Sequence, residues 1–140
     1  MTIYLDVDLT LLSESGGLRP GVRRLLERLR EDGHQVYLWS GNGIRWEFVD
    51  RHGLRDLIDG CLYKPLYDVR AALTRQGVPP PDFCVDDYPE FVREFGGVPV
   101  TPYGLDDPAD RELDRAYQAI SRRALECGLP ARKTEEPRRE

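Results

Sequence analysis

Asp6 and Asp8 stand two residues apart at the end of the apolar run Ile3-Tyr4-Leu5, and a second acidic pair, Asp86-Asp87, closes the run Phe83-Cys84-Val85. Residues two apart on an extended strand face the same way, so Asp6 and Asp8 are expected to present both carboxylates to one pocket. That suits a nucleophile with an acid/base partner. Ser40 ends a third apolar run and Lys64 follows a fourth, Cys61-Leu62-Tyr63. The Ser40 hydroxyl and the N–H groups of Gly41 and Asn42, expected at a helix start, suit the oxygens of a phosphate, and Lys64 adds positive charge. Gly41 and Gly43 let the backbone approach such a ligand closely. Four carboxylates packed together without a cation repel and raise one another's pKa, so a site of this kind implies a metal. Hard oxygens from Asp6, Asp86 and Asp87 suit Mg2+.

Taken singly, each residue has a plain structural explanation. Ser40 is a normal helix cap, Lys64 a normal surface charge, and Asp86-Asp87 a cap before Pro89. Their common place at strand ends is what favours a site.

The elements that must position them alternate between short β-like runs and helical periods, the pattern of a doubly wound α/β fold with a five-stranded parallel sheet covered on both faces. Strands are expected at Ile3–Leu5, Gln35–Trp39, Cys61–Tyr63, Phe83–Val85 and Val98–Val100. Pro99 assigns the last to an edge, because proline cannot donate to an interior ladder. Helical faces are expected at Val22, Leu25, Leu26 and Leu29, and at Ile44, Phe48 and Val49 in a helix starting at Asn42-Gly43. Others follow: a short stretch between Gly53 and Gly60, a helix with Val69, Ala72 and Leu73, a brief one over Pro89–Phe95, and a last one with Leu113, Tyr117, Ile120 and Ala124. In an open α/β sheet the carboxyl ends of the strands share one rim, where ligands bind near the reversal of strand order. Residues far apart in sequence are thereby expected to converge.

A chain of 140 residues fits one domain, read as 1–130, with a charged tail at 131–140 that lacks apolar period and is expected to be disordered. No apolar run approaches the roughly 18 residues of a membrane span, and no leader pattern opens the chain, which together imply a cytoplasmic protein. Cys61, Cys84 and Cys127, with only His34 and His52 as imidazole partners, lack ligand spacing and read as small apolar residues. Both histidines are expected to be exposed. The net charge of −5 argues against wholesale nucleic-acid binding, and Arg19, Arg23, Arg24, Arg28 and Arg30 read as the solvated side of a helix.

In order, Asp6-Val7-Asp8-Leu9-Thr10, the isolated Ser40, Lys64 and the pair Asp86-Asp87 resemble the four motifs of the haloacid dehalogenase superfamily, over roughly the first two-thirds of the chain. The resemblance implies a Mg2+-dependent phosphatase in which Asp6 forms an aspartyl-phosphate and Asp8 is the general acid/base. It implies a metal held by Asp6, the main-chain carbonyl of Asp8, Asp86 and Asp87, phosphate held by Ser40, Gly41, Asn42 and Lys64, and a structural role for Thr10. The segments between Asp8 and Ser40 and between Lys64 and Asp86 are too short for the family's cap insertions, so the chain resembles a capless member. The chain departs from many relatives in the residues after Asp87, Tyr88-Pro89-Glu90-Phe91.

Two other readings remain. A receiver-like phosphoacceptor also joins acids, a hydroxyl and a lysine on a doubly wound sheet, but in another order along the chain. A catalytically silent relative that binds a partner is the other, and intact Asp6 and Asp8 count against it. The expected partner is a phosphorylated substrate, with bulky, macromolecular and nucleic-acid-end phosphates all open, acting on a monomer or small homo-oligomer. Water exclusion falls to the substrate, a second subunit or the loop Leu12 to Leu18, which Gly16-Gly17 would make mobile. Arg45 and Trp46 are candidates to touch the leaving group.

Overall fold

The computed structural model describes residues 1–129, so the boundary at 130 and the expected tail at 131–140 lie outside the described residues. Five parallel strands, β1 (Thr2–Asp6), β2 (Gln35–Ser40), β3 (Gly60–Tyr63), β4 (Phe83–Asp86) and β5 (Gly97–Pro99), form one sheet in the order β3-β2-β1-β4-β5. Five helices, α1 (Val22–Glu31), α2 (Trp46–Arg51), α3 (Val69–Arg75), α4 (Pro89–Phe95) and α5 (Glu112–Glu126), and a 3-10 turn at Arg55–Leu57 connect and cover it. Among the described residues, no helix is long and apolar enough to cross a membrane.

Alternation along each strand divides the core in two. Ile3, Leu5, Val36, Leu38, Phe83 and Val85 pack with residues of α1, α2 and α5 on one face. Tyr4, Trp39 and Cys84 pack with Val69 and Leu73 of α3 and Phe95 of α4 on the other. Helices therefore lie on both faces, and strands buried on both sides need no polar stripe. The chain winds from β1 through β2 to β3, then crosses back to β4 beside β1, so strand order reverses between β1 and β4. Asp6 and Asp86, the last residues of those two strands, flank that point.

β5 is an edge strand, as Pro99 requires, paired to β4 alone. Its Gly97 lies so close to β4 that a Cβ there would collide with the Cys84 carbonyl oxygen, so no other residue fits.

Four expectations are corrected. The second helix begins at Trp46 rather than Asn42-Gly43, and Ile44 is exposed rather than inward. The Ser40 hydroxyl takes the Asn42 N–H, and Gly43 has φ of 115°, outside helical space, so the chain turns at 41–42 and runs irregularly through 43–45 before α2. Arg19 is not on a solvated helix face: it is buried, before α1, in a bidentate pair with Asp110. His34 is buried, and Cys127, unlike Cys61 and Cys84, is exposed.

Candidate active site

β1 ends at Asp6, and the chain then folds into a tight turn in which the N–H groups of Thr10, Leu11 and Leu12 all point to the Val7 carbonyl. Leu9 sits at φ 62°, a left-handed conformation rare for leucine, held by its own N–H to the Leu12 carbonyl and by the Tyr103 N–H on its carbonyl. The turn returns Thr10 to Asp6: its hydroxyl lies 3.0 Å from Asp6 Oδ2 and 3.4 Å from Asp87 Oδ1. Thr10 thus orients the Asp6 carboxylate directly as well as steadying the turn.

Because β1 stops at Asp6, the two aspartates do not share a strand face as expected. Asp6 is buried against β4, whereas Asp8, half-buried, turns toward the end of β2. The acidic cluster accordingly has three members rather than four: one carboxylate oxygen each from Asp6, Asp86 and Asp87 lie within 4.8 Å of one another. The route left to Asp8 as a ligand is its main-chain carbonyl, the atom the resemblance assigns.

Lys64 is fixed by its N–H on the Ser40 carbonyl, at the end of the neighbouring strand. Its buried ammonium donates to Asp6 Oδ1 at 3.0 Å and to Asp86 Oδ2 at 2.6 Å, over the Phe91 ring. Asp86 Oδ1 accepts the Tyr88 N–H at the start of α4. Burial, and then the neighbouring Asp86, push the Asp6 carboxyl up to about 8, against the opposing pull of Lys64. Burial raises Asp86 as well, with Lys64 opposing. Burial works to lower Lys64, but the two carboxylates outweigh it and raise it.

Asp8 is different. Its Oδ2 accepts three donors: the Ser40 hydroxyl at 3.0 Å, the Asn42 side-chain amide at 2.9 Å and the Arg45 guanidinium at 2.6 Å. Burial works to raise its pKa, and these donors more than offset that, so Asp8 stays below the usual carboxylate range. Arg45 also holds Glu47 at 2.6 Å. Trp46 lies away from this chemistry, stacked under Arg55 and packed on the core. Gly41 and Asn42 precede α2 by a whole turn of chain, so they are not at a helix start, and the Asn42 N–H is taken by Ser40. A Cβ at Gly41 would meet nothing of the protein, so the space beside it is open.

The loop Leu12 to Leu18 is a hydrogen-bonded hairpin rather than a loose strand of chain. Leu12 and Leu18 form a bridge, the Ser13 N–H reaches the Gly17 carbonyl, and the Ser15 hydroxyl donates to Asp106. Arg19, read from the sequence as a solvated helix residue, instead supports the turn after β1. Arg19 donates to the Thr10 carbonyl at 3.3 Å and to Asp110, and stacks over Tyr103. Its position ahead of Pro20, outside the helical period, was the local sign that it differs from the other arginines.

No protein-family model matches this chain, and no curated protein matches it.

The geometry itself supports a divalent cation. Asp6, Asp86 and Asp87 supply three hard oxygens close together, two of them from buried carboxyl groups whose charged forms burial disfavours and a divalent cation would favour. The donor set fits Mg2+ in type.

Proposed function

We propose that this chain is a capless phosphatase of the haloacid dehalogenase type that hydrolyses a phosphomonoester through an aspartyl-phosphate on Asp6. The observation that carries the reading is the convergence of Asp6, Lys64 and Asp86 at the reversal of strand order, with Asp87 beside them. A Mg2+ ion held by Asp6, the Asp8 carbonyl, Asp86 and Asp87 would supply the positive charge that lets an anionic carboxylate approach an anionic phosphate.

The chain's own residues do the rest. Thr10 and Lys64 each hold one oxygen of the Asp6 carboxylate, fixing its direction. Asp6 attacks phosphorus, the P–O bond to the leaving alcohol breaks, and Asp8 gives that oxygen a proton. Asp8 then takes a proton from water as the water attacks phosphorus, releasing phosphate and restoring Asp6. In the arrangement seen, Ser40, Asn42 and Arg45 hold Asp8 as a carboxylate, the form required for the second half. Phosphate oxygens entering beside Gly41 would compete for the Ser40 and Arg45 donors and release Asp8 to carry its proton in the first half.

The test is a purified sample assayed on p-nitrophenyl phosphate and a panel of metabolite, peptide and oligonucleotide phosphates, with and without chelator. Turnover that requires Mg2+ is expected. Activity that survives rigorous metal removal overturns the reading, and stable phosphorylation of Asp6 without turnover replaces it with a phosphoacceptor.

A further inference from the structure

We infer that the substrate's body beyond its phosphoryl group is uncharged and aromatic, seated on a ring of exposed apolar side chains around the candidate active site. The inference rests on the phosphatase reading and narrows its substrate class. Eight large hydrophobic side chains are exposed among the described residues: Ile44, Tyr63, Leu66, Tyr67, Tyr88, Leu105, Leu125 and Leu129. The first six lie at the carboxyl ends of strands or on the loops that follow, four separate segments converging on one edge of the sheet. The other two lie at and beyond the end of α5. Single exposed leucines are ordinary, but a set gathered from four loops onto one edge marks a binding surface.

The chain connects these residues to the chemistry. Ile44 precedes Arg45, whose guanidinium meets Asp8, and Tyr63 precedes Lys64, with Leu66 and Tyr67 just beyond. The Tyr88 N–H itself donates to Asp86, and Leu105 precedes Asp106, which holds the hairpin through Ser15. A phosphoryl group on Asp6, at the carboxyl end of β1, would therefore have its leaving group on the same edge of the sheet as these side chains.

Two observations set the chemistry of the occupant. Three of the six side chains are tyrosines, whose rings offer flat faces for stacking against another ring. The charges on the loops at this edge of the sheet disfavour a second anionic group. Lys64, Arg45 and Arg19 are each held by a carboxylate, while Glu14, Asp68, Asp106 and Asp107 are exposed, with Arg111 the exposed cation among them. An oligonucleotide, with a phosphate on every residue, would meet that acidity without the basic groove it needs. A compact polar sugar would leave the apolar ring in water. An uncharged aromatic group satisfies both conditions.

The probes are benzylphosphonate and propylphosphonate, which share the anionic head and differ in the ring, titrated calorimetrically into the Mg2+-loaded protein. Turnover of benzyl phosphate and propyl phosphate, both esters of simple alcohols, is measured alongside. The benzyl probe is expected to bind about fivefold or more tightly than the propyl probe, and Tyr67→Ala/Tyr88→Ala should bring that ratio near one. Both residues are exposed, and circular dichroism would verify that the variant folds. Equal affinities with turnover of both esters overturn the aromatic ring and leave the phosphatase standing. A retained ratio without turnover supports the ring and overturns the phosphatase. Failure of both probes to bind overturns the ring, and the esters then decide the phosphatase separately. Sedimentation at the same concentrations covers the remaining occupant: a dimer dispersed by Leu105→Asp, with a ratio near one, shows the ring covered by a second copy and overturns the inference.

Discussion

The ammonium of Lys64 lies 2.6 Å from Oδ2 of Asp86, a side chain with no exposure to solvent, while its other carboxylate partner, Asp6, is 3.0 Å away. One cation thus serves two buried carboxylates. Breaking such a pair from one side leaves uncompensated charge, so Lys64→Met is expected to lose about 3 kcal/mol of stability in denaturant unfolding. Mg2+ should restore more stability to this variant than it adds to the parent, because the ion would bind a cluster with one more uncompensated negative charge. Equal stability of variant and parent in chelator would refute this account of Lys64.

Roles within the acidic set separate by substitution. Asp6→Asn removes the proposed nucleophile and should reduce turnover to background while the fold, followed by circular dichroism, is kept. Asp8→Ala should lower kcat by about 10²- to 10⁴-fold, the usual range for a general acid/base. Ser40→Ala should cost less, because Asn42 and Arg45 still hold Asp8. Near-parent kcat in Asp6→Asn, in a preparation free of other phosphatases, would remove Asp6 from the mechanism.

All five strands and the helices around them were legible in the sequence, because strands buried on both faces leave short unbroken apolar runs such as Val36 to Trp39. The convergence of Asp6, Lys64 and Asp86 was legible for the same reason: each follows or ends such a run, and topology brings run ends to one rim. The start of α2 was not. Ile44, Phe48 and Val49 have helical spacing, yet a side-chain hydrogen bond from the backbone of Asn42 to Ser40 and a glycine at positive φ hold the chain in a turn. The separation of Asp8 from the acidic cluster depends on where β1 stops, which periodicity does not reveal. Arg19 was missed because its partner, Asp110, is 91 residues away: its place ahead of Pro20 sets it apart from the arginines of α1 but does not reveal that partner.

Glu112 provides a pH signature outside the site. A hydrogen bond from Arg115, opposed by burial and aided by the Thr101 N–H, holds its carboxyl down to about 2, below the ordinary 4.5. A carboxyl depressed in the folded state contributes stability above its unfolded pKa and loses it as pH falls toward the folded one. Glu112→Gln should therefore cost about 1 kcal/mol or less at about pH 7, since solvent reaches the pair, with the gap to the parent closing as pH falls from about 4.5 toward 2. Thermal melts across that interval measure it. A gap that stays constant with pH would assign the loss to packing instead.

Arg19 couples stability to the site. Its guanidinium is buried, paired through two hydrogen bonds to Asp110 ahead of α5, stacked over Tyr103, and donating to the Thr10 carbonyl in the turn that aims Asp6. Tyr103 in turn gives its N–H to the Leu9 carbonyl in that same turn, so the segment before α5 is tied to the turn after β1 twice. Arg19→Met leaves Asp110 largely buried and unpaired and should cost about 3 kcal/mol. Arg19→Met/Asp110→Asn removes the stranded charge while keeping an oxygen to accept the Glu112 N–H at the start of α5, so it should recover part of that stability. The contact to Thr10 is lost in both variants, so kcat should stay reduced in both, by about tenfold if the Thr10 to Asp6 hydrogen bond is weakened by about 1.4 kcal/mol in the transition state. Unfolding free energies and kcat measured on the same samples distinguish the two roles. Stability losses that simply add would show that Arg19 and Asp110 are not coupled, and a kcat that recovers together with stability would show that Arg19 acts on the fold alone.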